Sequence, residues 1–414
     1  MASLDLDLTP SDARGVDAEL AEFRSILRQL LERHTSGAAA GSSAAEWAPS
    51  PQTPAGGYDA QLWKLLTHQV GVAGLAVPER FGGSGGGYAE CHLVLEELGR
   101  AGVASPFLAS SVLATQALLL AEADAAELLP ELAAGTRTAT VIWGADCTFT
   151  ATGAKDQWVI DGRARYVLDG ARADLLLAFA EPQPQPETWP QPETRRTTEP
   201  PPTTGLQPPT GPALFLLDVT HPGLRRELSP TMDQSLHLAE VHCDAVPARR
   251  LSSLARADSA RSAVATSRLA DLAATAITAE QVGGARRCLE LTVEYAKTRV
   301  QFGRPIGSFQ AIKHRLADLL VLVESAQSAS QAAAQAWVEN ADDASVLASL
   351  AKSYCSEAFR TVASETIQLH GGIGFTWEHQ AHRHFKRAHS TSELFGDPSY
   401  HRRRIAAHLA LPTE

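Results

Sequence analysis

Cysteine is scarce in this chain of 414 residues: there are five, odd in number, widely separated and without a C-x-x-C pair. That usage excludes a zinc ribbon and a disulfide framework, and it reads as reduced, mostly buried thiols of a cytosolic protein. Positive charge is also short. Thirty-six Lys and Arg stand against forty-seven Asp and Glu, a formal net charge of −11. A nucleic-acid surface needs clustered cations, so that class is set aside. A basic run such as Arg402-Arg403-Arg404 reads as a solvated face or an anion contact. No run reaches the roughly 18 uncharged apolar residues of a membrane-spanning helix. The opening MASLDLDLTPSDARG carries acids early and no apolar segment, so it does not read as a secretory signal. These absences leave a soluble, cytoplasmic globular chain, long enough for two or three domains around a large core.

What is present falls into three stretches. Residues 17–34 place Leu20, Phe23, Leu27, Leu30 and Leu31 on one helical face. Small residues, prolines and glycines over 36–57 then mark a surface connection. Further helical runs follow on both sides of the glycine-rich loop Gly82–Gly87. That loop lacks the Lys-Ser/Thr ending of a phosphate loop, so it shapes a turn more readily than it cradles phosphate.

From about Thr138 the pattern changes to short β-branched or aromatic runs bounded by Asp-Gly and Pro: TATVIWGA, QWVIDGRARYVLDGA, ADLLLAFAE, PALFLLDV and LRRELSP. They predict a middle domain of antiparallel strands. Inside it, residues 181–212 hold eleven prolines and the tandem word PQPET. Such a composition cannot bury enough apolar surface to offset chain entropy, which predicts a disordered loop between two strands. Beyond residue 252 the chain is alanine-rich and helical, in stretches long enough to form a bundle. The expected division is 1–137 helical, 138–252 β with the Pro-rich loop, and 253–414 a helical bundle.

Three segments then carry a resemblance. LAVPERFGGSGGGYAECHLVLEELGR, YAKTRVQFGRPIGSFQAIKHRLADL and IQLHGGIGFTWEHQAHRHFKRA occur in this order. They resemble the N-terminal helical motif and the two C-terminal signatures of the acyl-CoA dehydrogenase superfamily. The third is similar to the variant found in actinobacterial steroid and fatty-acid degrading members. The resemblance implies a mainly α fold with a central β domain: N-terminal helical domain, middle antiparallel β domain, C-terminal four-helix bundle. It also implies FAD, shared across a homo- or hetero-oligomer interface.

Residue by residue, Arg299 matches an arginine on the FAD pyrophosphate, where a guanidinium supplies charge and hydrogen bonds in one fork. Phe302 matches an aromatic near the adenine end, and Gln310 a glutamine on the dinucleotide. Gln368, Gly371 and Gly372 match the segment lying along the cofactor of the neighbouring subunit, where bare backbone allows close approach. Taken singly, the same residues also read as a surface ion pair (Arg299), core filling (Phe302) and a helix C-cap (Gly371-Gly372).

The family's reaction takes a proton from Cα of an acyl thioester with a carboxylate base, while the flavin accepts a hydride from Cβ. The usual base position, nine residues after Arg387, is Gly396. The second known position, 26 residues before Arg299, is Ala273. Neither holds a proton acceptor. Asp271 is two residues off, toward the opposite side of a helix. Asp397 is a weak candidate by a one-residue slip, though Gly-Asp-Pro reads as a turn, and Glu393 is a weaker one. A third route is a base from another chain, since the GGIGFTWEH variant is similar to subunits of α2β2 dehydrogenases in which one chain type lacks the base. The middle domain also departs from the family's flavin-facing motifs: TVIWGADCTFTATGAKDQ and RYVLDGARADLL stand in their place, leaving Trp143 and Thr148 as ring contacts or as strand and core residues.

The leading reading is therefore a subunit lacking the usual base in a heteromeric dehydrogenase of an acyl-CoA or carrier-bound acyl thioester. Its partner would be a second dehydrogenase chain or another copy of itself. A reduced-flavin monooxygenase on the same fold, or a non-catalytic scaffold, are the competing classes.

Overall fold

The computed structural model describes residues 10–41, 58–121, 126–154, 157–184, 212–251 and 259–410. The Pro-rich reading of 181–212 lies almost wholly outside the described residues.

Helix α1 (Pro10–Gly41) carries the predicted stripe: Leu27, Leu30 and Leu31 are buried, with Leu20 and Phe23 packed against the same core. Helix α2 (Ala60–Leu65) starts at Asp59, whose carboxylate accepts from the Gln61 and Leu62 N–H groups and so satisfies two orphan donors. The glycine loop is a turn, as expected: a Cβ on Gly83 would stand 1.9 Å from the Val77 carbonyl oxygen. It delivers the chain into α3 (Tyr88–Ala101). Buried Glu96 and Glu97 on α3 are paired with Arg24 and Arg28 of α1. Shorter helical pieces follow, including α4 (Thr115–Leu120) and α5 (Leu129–Ala133).

Among the described residues seven strands come next: β1 (Ala139–Ile142), β2 (Thr150–Ala154), β3 (Gln157–Leu168), β4 (Leu175–Pro184), β5 (Ala213–Leu217), β6 (Leu224–Leu228) and β7 (Leu238–Leu251). Most pairings are antiparallel, as predicted, but β4 runs parallel to both β1 and β2. Because β5 pairs with both β4 and β7, the path β4–β2–β3–β7–β5 returns to β4. Closure leaves β1 and β6, each paired on one side only, as the strands with an open edge among the described residues. Apolar runs do not announce β7, the longest strand. Its buried Leu238, Val241, Val246 and Leu251 are interleaved with His242, Asp244 and Arg249.

The C-terminal part holds α6 (Ser259–Thr298), α7 (Gln310–Val338), α8 (Ala344–His370), α9 (Ala381–Glu393) and α10 (Pro398–His408). A short hairpin, β8 (Val300–Gln301) with β9 (Arg304–Pro305), joins α6 to α7. Helix α8 packs on α6, α7, α9 and α10. Helix α6 also crosses α3 at backbone distance: a Cβ on Gly99 would lie 2.2 Å from the Glu280 carbonyl oxygen, and one on Gly283 1.9 Å from that of Glu96. Leu272, Ala273 and Ile277 of α6 share one apolar core with the N-terminal helices and the sheet. The five cysteines are free, four of them buried. Among the described residues no helix is long and apolar enough to cross a membrane, and no His/Cys/Asp/Glu cluster could hold a metal.

Candidate functional site

The residues expected at the dinucleotide gather at one end of the bundle. The Tyr295 ring near the end of α6 stacks on His370 at the end of α8, 4.4 Å between centroids. The two helices therefore deliver Arg299 and Gln368-Gly371-Gly372 to neighbouring places. The Arg299 carbonyl accepts the Ile306 N–H, closing the base of the β8–β9 hairpin. Its side chain is exposed and forms no ion pair among the described residues. Phe302 fills no core: it sits at the hairpin tip with φ 53 and is 93% exposed. Gln310 opens α7, exposed, with its amide nitrogen 2.8 Å from His314 Nε2.

Gly371 does cap α8, with φ +65, and a Cβ on Gly371 or Gly372 would meet nothing within 4 Å. The backbone there can be approached closely from outside. Phe375 and Trp377, 82% and 58% exposed, follow directly. Exposed aromatics in such number mark a surface that something else covers.

The segments expected at the base and at the ring pack against each other. The Trp143 ring lies flat against Phe395, 5.8 Å between centroids and 8° between planes. Phe395 (φ 61) and Gly396 (φ +100) both occupy the left-handed region. Ala273 is buried in the core. Asp271 binds Arg404 at 2.7 Å. Asp397 caps α10, accepting the Tyr400 N–H at 2.6 Å, with Pro398 at the first helical position. Glu393 is exposed. Thr148 exchanges hydrogen bonds with the Arg163 backbone, a strand role.

Beside the stack lies an ion network that the sequence did not single out. Arg387 of α9 is buried and holds Glu280 of α6 at 2.7 Å and Asp233 of the loop before β7 at 2.9 Å. Ser235 Oγ accepts from the same guanidinium at 2.9 Å. Asp169 and His237 pair nearby at 3.5 Å. Burial pushes the carboxyls of Glu280 and Asp169 above their ordinary range, against the pull of Arg387 and His237 respectively. Burial alone would depress Arg387, but Asp233 and Glu280 hold it above its usual value.

Two small cavities flank the guanidinium. One of about 10 Å³ is lined by Leu98, Leu108, Leu168 and Glu280; the other, about 60 Å³, by Asp233, Trp377, His382 and Lys386. The first has room for about one water, and sites for drug-sized ligands run to roughly 300–1,000 Å³.

Residues 18–136 match the acyl-CoA dehydrogenase N-terminal domain and residues 262–410 the C-terminal domain. The chain belongs to the acyl-CoA dehydrogenase family, whose members bind FAD. It is 36% identical to acyl-CoA dehydrogenase IpdE2 of Mycolicibacterium smegmatis, over 94% of this chain and 100% of that protein. With IpdE2 of Mycobacterium tuberculosis it shares 38% identity over 85% of this chain and 88% of that one. The solved ChsE4-ChsE5 complex from Mycobacterium tuberculosis is similar at TM-score 0.76 and 26% identity, covering 99% of this chain and 100% of that chain.

Tested against FAD, the two ends differ. The dinucleotide end fits by its chemistry, with the exposed Arg299 in no ion pair among the described residues and bare glycine backbone at Gly371-Gly372. The segments expected at the ring pack on each other, Trp143 against Phe395, and carry glycine and alanine at 396 and 273, so this chain offers no proton acceptor at either usual base position.

A glutamate at 396 cannot simply be restored. A Cβ there would stand 2.5 Å from Tyr400 Cδ1 and 3.0 Å from His401 Nε2, at a φ that disfavours side chains. Gly396→Glu is expected to lower the melting temperature and to give the lone chain no acyl-CoA turnover. Retained stability with new turnover would show that the turn can rearrange into a working site.

Proposed function

We propose that this chain is one subunit of a heteromeric acyl-CoA dehydrogenase. The complex α,β-dehydrogenates an acyl-CoA or carrier-bound acyl thioester, and the proton-abstracting carboxylate comes from another chain. The observation that carries this reading is the contrast between the two ends. Among the described residues the carboxylates near the usual base positions are engaged or solvent-facing: Asp397 caps a helix, Asp271 binds Arg404, Glu280 and Asp233 bind Arg387, and Glu393 is exposed. Meanwhile the dinucleotide residues stand exposed, and a relative of the same fold was solved as a two-protein complex.

In this assembly Arg299 would neutralise the FAD pyrophosphate, and Gly371-Gly372 would admit the cofactor to the backbone. Gln310 and Gln368 would hydrogen-bond the dinucleotide, and Phe302 would cover the adenine end. FAD supplies the hydride acceptor when bound, its ring end seated by the partner chain. The chain's own division would be 1–137, 138–252 and 253–414.

Two measurements test the proposal. The lone chain is expected to show no acyl-CoA oxidation with an artificial acceptor, and the co-expressed complex to show it. In that complex Arg299→Ala is expected to weaken FAD retention by about tenfold or more, the effect of losing a hydrogen bond to a charged group. Unchanged flavin absorbance in the variant, or turnover by the lone chain, would overturn the assignment.

A further inference from the structure

We propose that Lys352 is a positioning residue: from inside α8 its side chain holds the turn between α9 and α10 in place, and so keeps Phe395 over Trp143. The inference concerns how this chain holds its own α9–α10 turn and does not depend on the heteromeric assignment.

Lys352 is fully buried, 0% exposed. A lysine in that setting is costly unless every N–H finds an acceptor. Here all three do. Its Nζ donates to Ser356 Oγ at 3.0 Å, to the Ser392 carbonyl at 2.9 Å and to the Gly396 carbonyl at 3.0 Å. The two carbonyls belong to the last turn of α9 and to the turn that follows, where the helix ladder supplies no donor. A simple space-filler at this position would be apolar, and none of the three acceptors is a carboxylate, so the amine is not there as half of an ion pair.

Neighbouring elements reinforce the same segment. Gln281 of α6 donates to Ser356 Oγ at 3.0 Å and to the Thr391 carbonyl at 3.1 Å. His401 of α10 donates to the Phe395 carbonyl at 3.0 Å. Carbonyls 391, 392, 395 and 396 are thus each held by a side chain from another helix. Such holding is needed, because Phe395 sits at φ 61, a conformation that costs a non-glycine residue about 1 kcal/mol or more. Lys352 supplies two of those bonds, and they bracket the strained residue.

The titratable groups around the amine are Cys355 on α8, Glu393 on α9, Asp397 in the turn and His401 on α10; α6 contributes the neutral Gln281. Burial pulls Lys352 down to about 7, against the opposing pull of Glu393, Cys355 and Asp397. A neutral amine keeps two N–H groups for the two carbonyls and can accept from the Ser356 hydroxyl, so the bonds that hold the turn do not require the charge.

The test uses the full chain with Trp143 as reporter, read as the difference in acrylamide quenching between each protein and its Trp143→Phe counterpart. Lys352→Met keeps the length and removes the donors. With far-UV circular dichroism unchanged, the fraction of molecules with accessible Trp143 is expected to rise at least about fivefold, the factor for losing even one of the two carbonyl bonds. Lys352→Arg, which retains donors, is expected to move it less. Quenching of Trp143 unchanged in a folded Lys352→Met variant would overturn the proposal. If that variant does not fold, Lys352→Gln takes its place: it keeps donors on a shorter side chain that cannot reach both carbonyls, and Trp143 quenching unchanged in it would overturn the proposal.

Discussion

Replacing Arg387 by methionine is expected to destabilise the chain by about 3–5 kcal/mol, the cost of breaking a buried ion pair from one side. Methionine keeps most of the volume, so the loss reports charge and not a cavity. Glu280 and Asp233, 8% and 4% exposed, would be left without their cation. They sit on the bundle and on the β region respectively, so the contact between the two is where the effect should appear. The sign with pH follows from Glu280, whose carboxyl already lies above its ordinary range through burial. The folded chain therefore holds that proton more tightly than the unfolded one. Its contribution is fully present at low pH and is lost as pH climbs past the usual carboxylate value. Removing Arg387 exaggerates this, so the variant should recover stability on acidification more than the parent does. Urea unfolding at acid and neutral pH reads both effects. Adding Glu280→Gln to the variant should return part of the loss, with a coupling of about 0.5–3 kcal/mol. A single variant within about 0.5 kcal/mol of the parent, the range of surface substitutions, would mean the network is not a structural joint.

The second large effect runs the other way with pH. Lys352 has a folded pKa of about 7 against 10.5 in the unfolded chain. Between those values the unfolded chain carries a proton that the folded chain does not, so raising pH favours folding. The parent is expected to gain stability relative to Lys352→Met by about 1.4 kcal/mol per pH unit across that window. Denaturant midpoints of the two proteins, taken at steps between pH 7 and 10.5, give the difference directly. Parallel profiles would mean that Lys352 keeps its proton when folded.

Much of this molecule was legible before any coordinates. The leucine stripe of α1 recurs at helical spacing within eighteen residues, and the period alone brings those side chains to one face. The strands β1, β3, β4 and β5 each contain an apolar run bounded by turn residues. The lysine in LASLAKSYCSEAF was not singled out from the sequence, although its helical spacing from Ala348, Cys355 and Phe359, which the structure buries with it on α8, was a signal that could have found it. What was not legible lies between residues far apart in the chain. Arg387 meets Glu280 across 107 positions and Ser235 across 152, and nothing near Arg387 names either partner. Strand β7 is hidden because its buried positions alternate with charged and polar ones, and its pairing with β3 supplies the rest.

By itself the sequence determined the order of helices and strands, the glycine at 396 and the alanine at 273, and the signatures that make this chain an acyl-CoA dehydrogenase relative. Periodicity, caps and turns act over a few residues, so a linear string records them. Only the tertiary structure decided that Asp397 is a helix cap, that β4 runs parallel to two of its neighbours, that Phe395 stacks on Trp143, and that a buried ion network joins α9, α6 and the loop before β7. Those outcomes depend on which distant segments are brought into contact, and at low dielectric each such contact changes the energy of its neighbours. That information exists only once the chain has closed on itself.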